Sequence, residues 1–158
     1  MKNIFLCLTI LPLLLSANLS AQCNFETPPA VKKINYAKRL VTFSDVSING
    51  RKTTFMAVQP GEKVTIKTVV QSQKNGSYCP NCIVQIYWGV RGYASTCAKS
   101  FHGYQFSKKR STLTFNAPME EGIYNVTMGG TLDYSCKNHK NQPWCEAEKA
   151  FAVLKVGN

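Results

Sequence analysis

Apolar and polar residues alternate along most of this chain, and no segment sustains the three-to-four-residue recurrence of a helix face. The clearest stretch is Ile83 to Val90. Val84, Ile86, Trp88 and Val90 share one face, while Ile83, Gln85, Tyr87 and Gly89 share the other. Both faces are largely apolar, which predicts a central strand covered on both sides. Leu40–Ile48 also alternates and ends at Asn49-Gly50, the pair best suited to a tight hairpin because both residues tolerate positive φ. Arg51–Val58 is then the expected return strand. After the turn Gln59-Pro60-Gly61-Glu62, Lys63–Val70 places Val64 and Ile66 inward and Lys63, Thr65 and Lys67 outward. Gln71–Tyr78 reads as a polar loop.

Beyond Val90 the period is lost. Arg91–Ser107 reads as a long irregular segment, and Lys108-Lys109-Arg110 as a charged turn. Ser111–Ala117 and Ile123–Met128 are the next strands. Gly129-Gly130 predicts a bulge or break before Thr131–Ser135, and Ala150–Val156 closes the chain. Short strands at this spacing predict an all-β fold: an antiparallel two-sheet sandwich, immunoglobulin-like and stapled by disulfides.

The first residues have the form of a secretory signal peptide. Lys2 precedes an apolar run from Ile4 to Leu15, and small or polar residues lead to Ala21. The expected division is a signal peptide over 1–21, an extended arm over 22–35 carrying Pro28-Pro29, and one sandwich domain over 36–158, with no anchor domain after it. Gln22 in front of Cys23 argues against lipidation, and no stretch is long enough to span a bilayer as a helix. Export, from a bacterial cell to periplasm or medium, leaves Cys23, Cys79, Cys82, Cys97, Cys136 and Cys145. In an oxidising compartment these six predict three disulfides with 15 open pairings. The short span from Cys136 to Cys145 makes that pair the most attractive local bridge.

Cleavage takes the 19 Lys and Arg to 18 against 8 acids, a net charge of +10. That surface favours anionic partners, or simply keeps an exported protein soluble.

The run Thr112–Met128, with Ala117-Pro118 and then Gly122-x-Tyr124-x-Val126, resembles the last strands of immunoglobulin-like domains in secreted bacterial proteins. The resemblance implies a tyrosine corner at Tyr124. Cys79-Pro80-Asn81-Cys82-Ile83-Val84-Gln85-Ile86-Tyr87 is similar to a motif of small exported sandwich domains without assigned activity. Cys136 departs from the antibody pattern, which sets its second cysteine two residues past the tyrosine, so no bridge is carried over.

Chemistry-bearing patterns are few. Cys79-x-x-Cys82 runs straight into a strand and lacks the helix N-terminus that activates a redox thiol. Cys79, Cys82, Cys136 and His139 have zinc-like spacing, but the compartment favours disulfides. His102 and His139 adjoin no nucleophile pattern, and no metal, cofactor or catalytic set is expected. Trp88 reads as core. The candidate ligand contacts are Arg91, Tyr93, Phe101, His102, Tyr104, Lys108, Lys109 and Trp144, aromatics and cations suited to stacking and anion binding. The leading function is a non-catalytic binding module for an anionic polysaccharide or other envelope component; nucleic acid is not favoured. A structural subunit docking a partner protein through a sheet edge or the Cys23 arm stands second, and a hydrolytic enzyme with a spatially assembled site third.

Overall fold

The computed structural model describes residues 27–37, 39–74, 83–102, 107–132, 136, 143–144 and 146–158, with the backbone alone at 74, 99–102 and 107. Among them are nine strands: β1 (Lys32–Tyr36), β2 (Arg39–Ile48), β3 (Phe55–Val58), β4 (Lys63–Lys74), β5 (Ile83–Val90), β6 (Ala94–His102), β7 (Ser107–Asn116), β8 (Gly122–Thr131) and β9 (Ala150–Val156). One sheet has the order β1-β2-β4-β7 and the other β3-β9-β8-β5-β6. All pairings are antiparallel except β3 with β9. The chain is an all-β sandwich whose strands follow the immunoglobulin-like arrangement, with β2, β4 and β7 facing β5, β8 and β9.

β5 is buried on both faces from Val84 to Val90, as its two-sided apolar pattern predicts. Trp88 is fully buried and meets Phe151 edge-on at 5.5 Å, while Phe151 stacks on Phe43 of the opposite sheet at 4.1 Å. The indole Nε1–H donates across the core to Ser111 Oγ on β7 at 2.8 Å. Burying a tryptophan removes about 200 Å² from water, worth roughly 5 kcal/mol at 25 cal/mol per Å². A single hydrogen bond contributes about 1 kcal/mol. Burial therefore supplies most of the stability, and the bond fixes the ring's orientation. At the start of β8, Tyr124 OH donates to the Glu120 carbonyl at 2.9 Å, the geometry of a tyrosine corner.

The structure corrects six expectations. Gln71–Lys74, expected to open a polar loop, continues β4 and pairs with β2 throughout. Asn49-Gly50 does turn, at φ 49° and 81°, but only the Ile48–Arg51 bridge closes the hairpin. The return segment crosses to the other sheet, where β3 runs parallel to β9, because β1 and β4 already occupy both edges of β2. Residues 32–36 belong to the sandwich, since β1 pairs with β2 over its whole length. Arg91–Ser107 is mostly strand: Ala94–His102 pairs with β5, and the bulge between Gln85 and Tyr87 breaks the alternation there. Lys108-Lys109-Arg110 is no turn, because β7 already begins at Ser107.

Gly129-Gly130, finally, neither bulges nor breaks β8, whose register with β5 is continuous through Thr131. The two glycines seat aromatic rings on opposite faces. A Cβ on Gly129 would fall within the Tyr87 ring, and one on Gly130 within the Tyr36 ring.

Ser111→Ala should lower stability by about 1–3 kcal/mol by stranding the buried indole N–H. In a Trp88→Phe background the same change should cost much less; urea unfolding of the four-protein cycle measures the difference. Gly129→Ala and Gly130→Ala should each destabilise by about 1–3 kcal/mol through overpacking. A Tm equal to that of the parent protein for either variant would contradict the ring seats.

Candidate functional site

The residues singled out as ligand contacts do not assemble. Arg91 and Tyr93 occupy the turn between β5 and β6 at the lower end of the sandwich, where Tyr93 packs edge-on to Tyr124 at 5.3 Å. Phe101 and His102 end β6 at the opposite, upper end, opposite Val84 and Ile83. Lys108 and Lys109 are neighbours on a strand and so point to opposite faces, Lys108 exposed and Lys109 half-buried. Trp144 is half-buried between the edge of Tyr36, at 5.4 Å, and the Lys149 ammonium, 4.4 Å from its ring centroid. Tyr104 lies outside the described residues, as do Cys23, Cys79, Cys82, Cys145 and residues 1–21.

What the fold does assemble is the outer face of the β1-β2-β4-β7 sheet. Inward positions of β4 are Val64, Ile66, Thr68, Val70 and Ser72, all buried. The register sets the intervening residues in rows across the strands, with Lys63 and Lys67 exposed, Thr65 and Gln71 half-buried, and Val69 buried among them. Lys33, Thr42, Gln71 and Lys108 form one row from β1 to β7. Ser44, Val69 and Arg110 form the next, then Ser47, Lys67 and Thr112, then Thr65 and Thr114, and last Lys63 and Asn116. Thr65 and Thr114 share a hydroxyl–hydroxyl bond of 3.0 Å. Lys33, Lys63, Lys67, Lys108 and Arg110 are all exposed.

The described acids stand elsewhere. The bulge of β2 takes Asp45, at φ 50°, out of the row and into a shallow groove it lines with Ala30, Val31 and Lys52. Glu62 is held at the lower end by Asn49 Nδ2 and the Gln59 N–H. Glu120 and Glu121 lie in the turn before β8. Glu146 pairs with Lys149 at 3.0 Å; its own backbone N–H and that lysine hold its carboxyl below the usual range. Lysines on edge strands commonly guard against edge-to-edge pairing, which accounts for Lys33 and Lys108. It does not account for Lys63 and Lys67, which sit on the inner strand β4.

The other sheet's outer face is closed. Gln85, Tyr87, Asn125 and Thr127 point away from the core yet are buried. Trp144 lies against this face: Thr127 Oγ1 donates to the Trp144 carbonyl, and the Trp144 N–H donates to Met128 O at 2.8 Å. A short 3-10 turn, Ala147–Lys149, leads from there into β9. Cys136 is bonded to Cys97 of β6, with 6.2 Å between their Cα atoms. That pairing replaces the expected local Cys136–Cys145 bridge, because Cys136 lies beside β6, beyond β5 from the strand that precedes it. It also removes Cys136 from the zinc-like set. Burial pushes the phenols of Tyr87 and Tyr124 up, Tyr124 strongly and with Tyr93 adding to the effect.

The β3 edge is also partly closed. Thr53 Oγ1 donates to Phe55 O at 2.7 Å and accepts from Phe55 N at 3.1 Å, filling that strand's outward pair. Replacing Cys97 and Cys136 together with serine should cost about 2–4 kcal/mol, as expected for a bridge closing a long loop. A peptide map of the unreduced protein should recover the two cysteines linked. No protein-family model matches this chain, and no curated protein matches it.

Proposed function

We propose that this chain is a non-catalytic exported binding module for an anionic glycan or envelope polymer. The observation that carries the reading is the outer face of the β1-β2-β4-β7 sheet. It presents five exposed cations over a floor of hydroxyl and amide side chains, with the described acids placed off its rows. Such a surface raises the local concentration of a polyanion and binds it through many weak, salt-sensitive contacts. The Cys97–Cys136 bridge fits an oxidising compartment, and no helix among the described residues is long and apolar enough to cross a membrane. The reading moves the binding surface from loop aromatics to a sheet face. Docking of a partner protein along β3 is less favoured, because Thr53 already occupies that edge at Phe55.

Immobilised heparin serves as the test polyanion. The protein should bind it saturably and elute with rising salt. Lys67→Ala/Arg110→Ala should weaken binding about 25-fold, equivalent to about 1.9 kcal/mol. Arg91→Ala/Lys52→Ala removes the same charge from exposed positions off the face and should change it far less. Equal loss in both pairs would reduce the interaction to net charge alone.

A further inference from the structure

The cations of this face are not spread evenly over its four strands. Lys108 and Arg110 lie two residues apart on β7, and Lys67 and Lys63 lie four apart on β4, the strand beside it. In register, Arg110 is opposite Val69, one outward row above Lys67, and Lys63 is opposite Asn116, eight residues along from Lys108. With outward neighbours about 7 Å apart and strands about 4.8 Å apart, the four charges follow the β4–β7 seam over about 27 Å. Thr112, Thr114, Thr65 and Gln71 stand between and beside them. Lys33 is the exception, three strands away from Lys108 and about 12 Å off the seam.

The seam is also polar in direction. Glu62 precedes Lys63 at its lower end, and its upper end carries Lys108 and Arg110, with no described acid in their rows. No aromatic side chain occupies an outward position among these rows. Proteins that grip single-stranded nucleic acid combine a basic track with aromatic platforms for the bases. Hydroxyls and amides between charges suit instead a chain bearing both hydroxyl groups and acids.

Resting on the function proposed above, we infer that the ligand is an extended acidic polysaccharide lying parallel to the strands along the β4–β7 seam. Its carboxylates or sulfates contact Lys108, Arg110, Lys67 and, at the lower end, Lys63. Its hydroxyls contact the threonines and Gln71. The chain lies along the strands and does not cross to Lys33.

Heparin-derived oligosaccharides of increasing length test this in solution by titration at two salt concentrations, against the full chain and three exposed-residue variants checked for fold by circular dichroism. Affinity should climb with oligosaccharide length and level off once the chain reaches the seam's span. Lys67→Ala and Arg110→Ala should each weaken the longest oligosaccharide about fivefold, the scale of one surface charge contact. Lys33→Ala should stay within about twofold. Equal losses for Lys33→Ala and Lys67→Ala, or affinity that keeps rising with length, would overturn the seam while leaving a polyanion-binding face. An oligothymidylate of matched charge that binds as tightly would overturn the choice of polysaccharide. Failure of every oligosaccharide to bind would overturn both the seam and the function on which it rests.

Discussion

The sandwich depends on one indole placed between its sheets. Trp88 belongs to β5, but its N–H finds its partner, Ser111, on β7 of the other sheet, and its ring shares a cluster with Phe43 and Phe151. A tryptophan this deeply buried must satisfy its N–H, and the observed approach of the two sheets brings the Ser111 hydroxyl to it. Seating Trp88 inward sends Tyr87 outward by strict alternation, and Tyr87 in turn requires Gly129 beneath it. One residue's geometry thus fixes the spacing of the sheets and the identity of a neighbour on β8.

From that arrangement the two outer faces diverge. One has buried polar side chains, with Trp144 and the Cys97–Cys136 bridge against it, so those side chains serve internal structure. The other stays open and carries threonine, glutamine and lysine in rows. A molecule with one closed and one open sheet has its binding options narrowed before any ligand is considered, since the wide accessible surface and the surplus of positive charge coincide.

Sequence pattern located β5, β9 and the inward Val64 and Ile66 of β4, because each lies in a regular alternation with one or two buried faces; the end of β4 was missed because inward Thr68 and Ser72 are polar. It also found the tyrosine corner through Gly122-x-Tyr124. It missed what depends on partners far along the chain. The crossing of Arg51–Val58 to pair with β9 leaves no local mark, since a hairpin return and a crossing strand share the same composition. β6 was hidden by its bulge and by half-buried Ala, Ser and Thr. Gly129-Gly130 was ambiguous, because a glycine that admits a ring and a glycine that bends a strand look alike until the ring is placed. The cationic face was half visible: Lys63, Thr65 and Lys67 were assigned outward, but reading Lys108–Arg110 as a turn hid the row beside them.

The position of β9 has a consequence for how the chain comes to be folded. It lies between β3 and β8, and Phe151, its second residue, stacks directly on Phe43. Until β9 arrives, β3 has no neighbour and the centre of the core has a vacancy the size of a phenyl ring. Phe55 waits for Val153, a partner nearly a hundred positions later. Closure over such a separation is slow compared with local pairing. A chain delivered from its N-terminus therefore passes most of its delivery as an open half-sandwich, and it acquires its final order in one late event, when the last strand inserts.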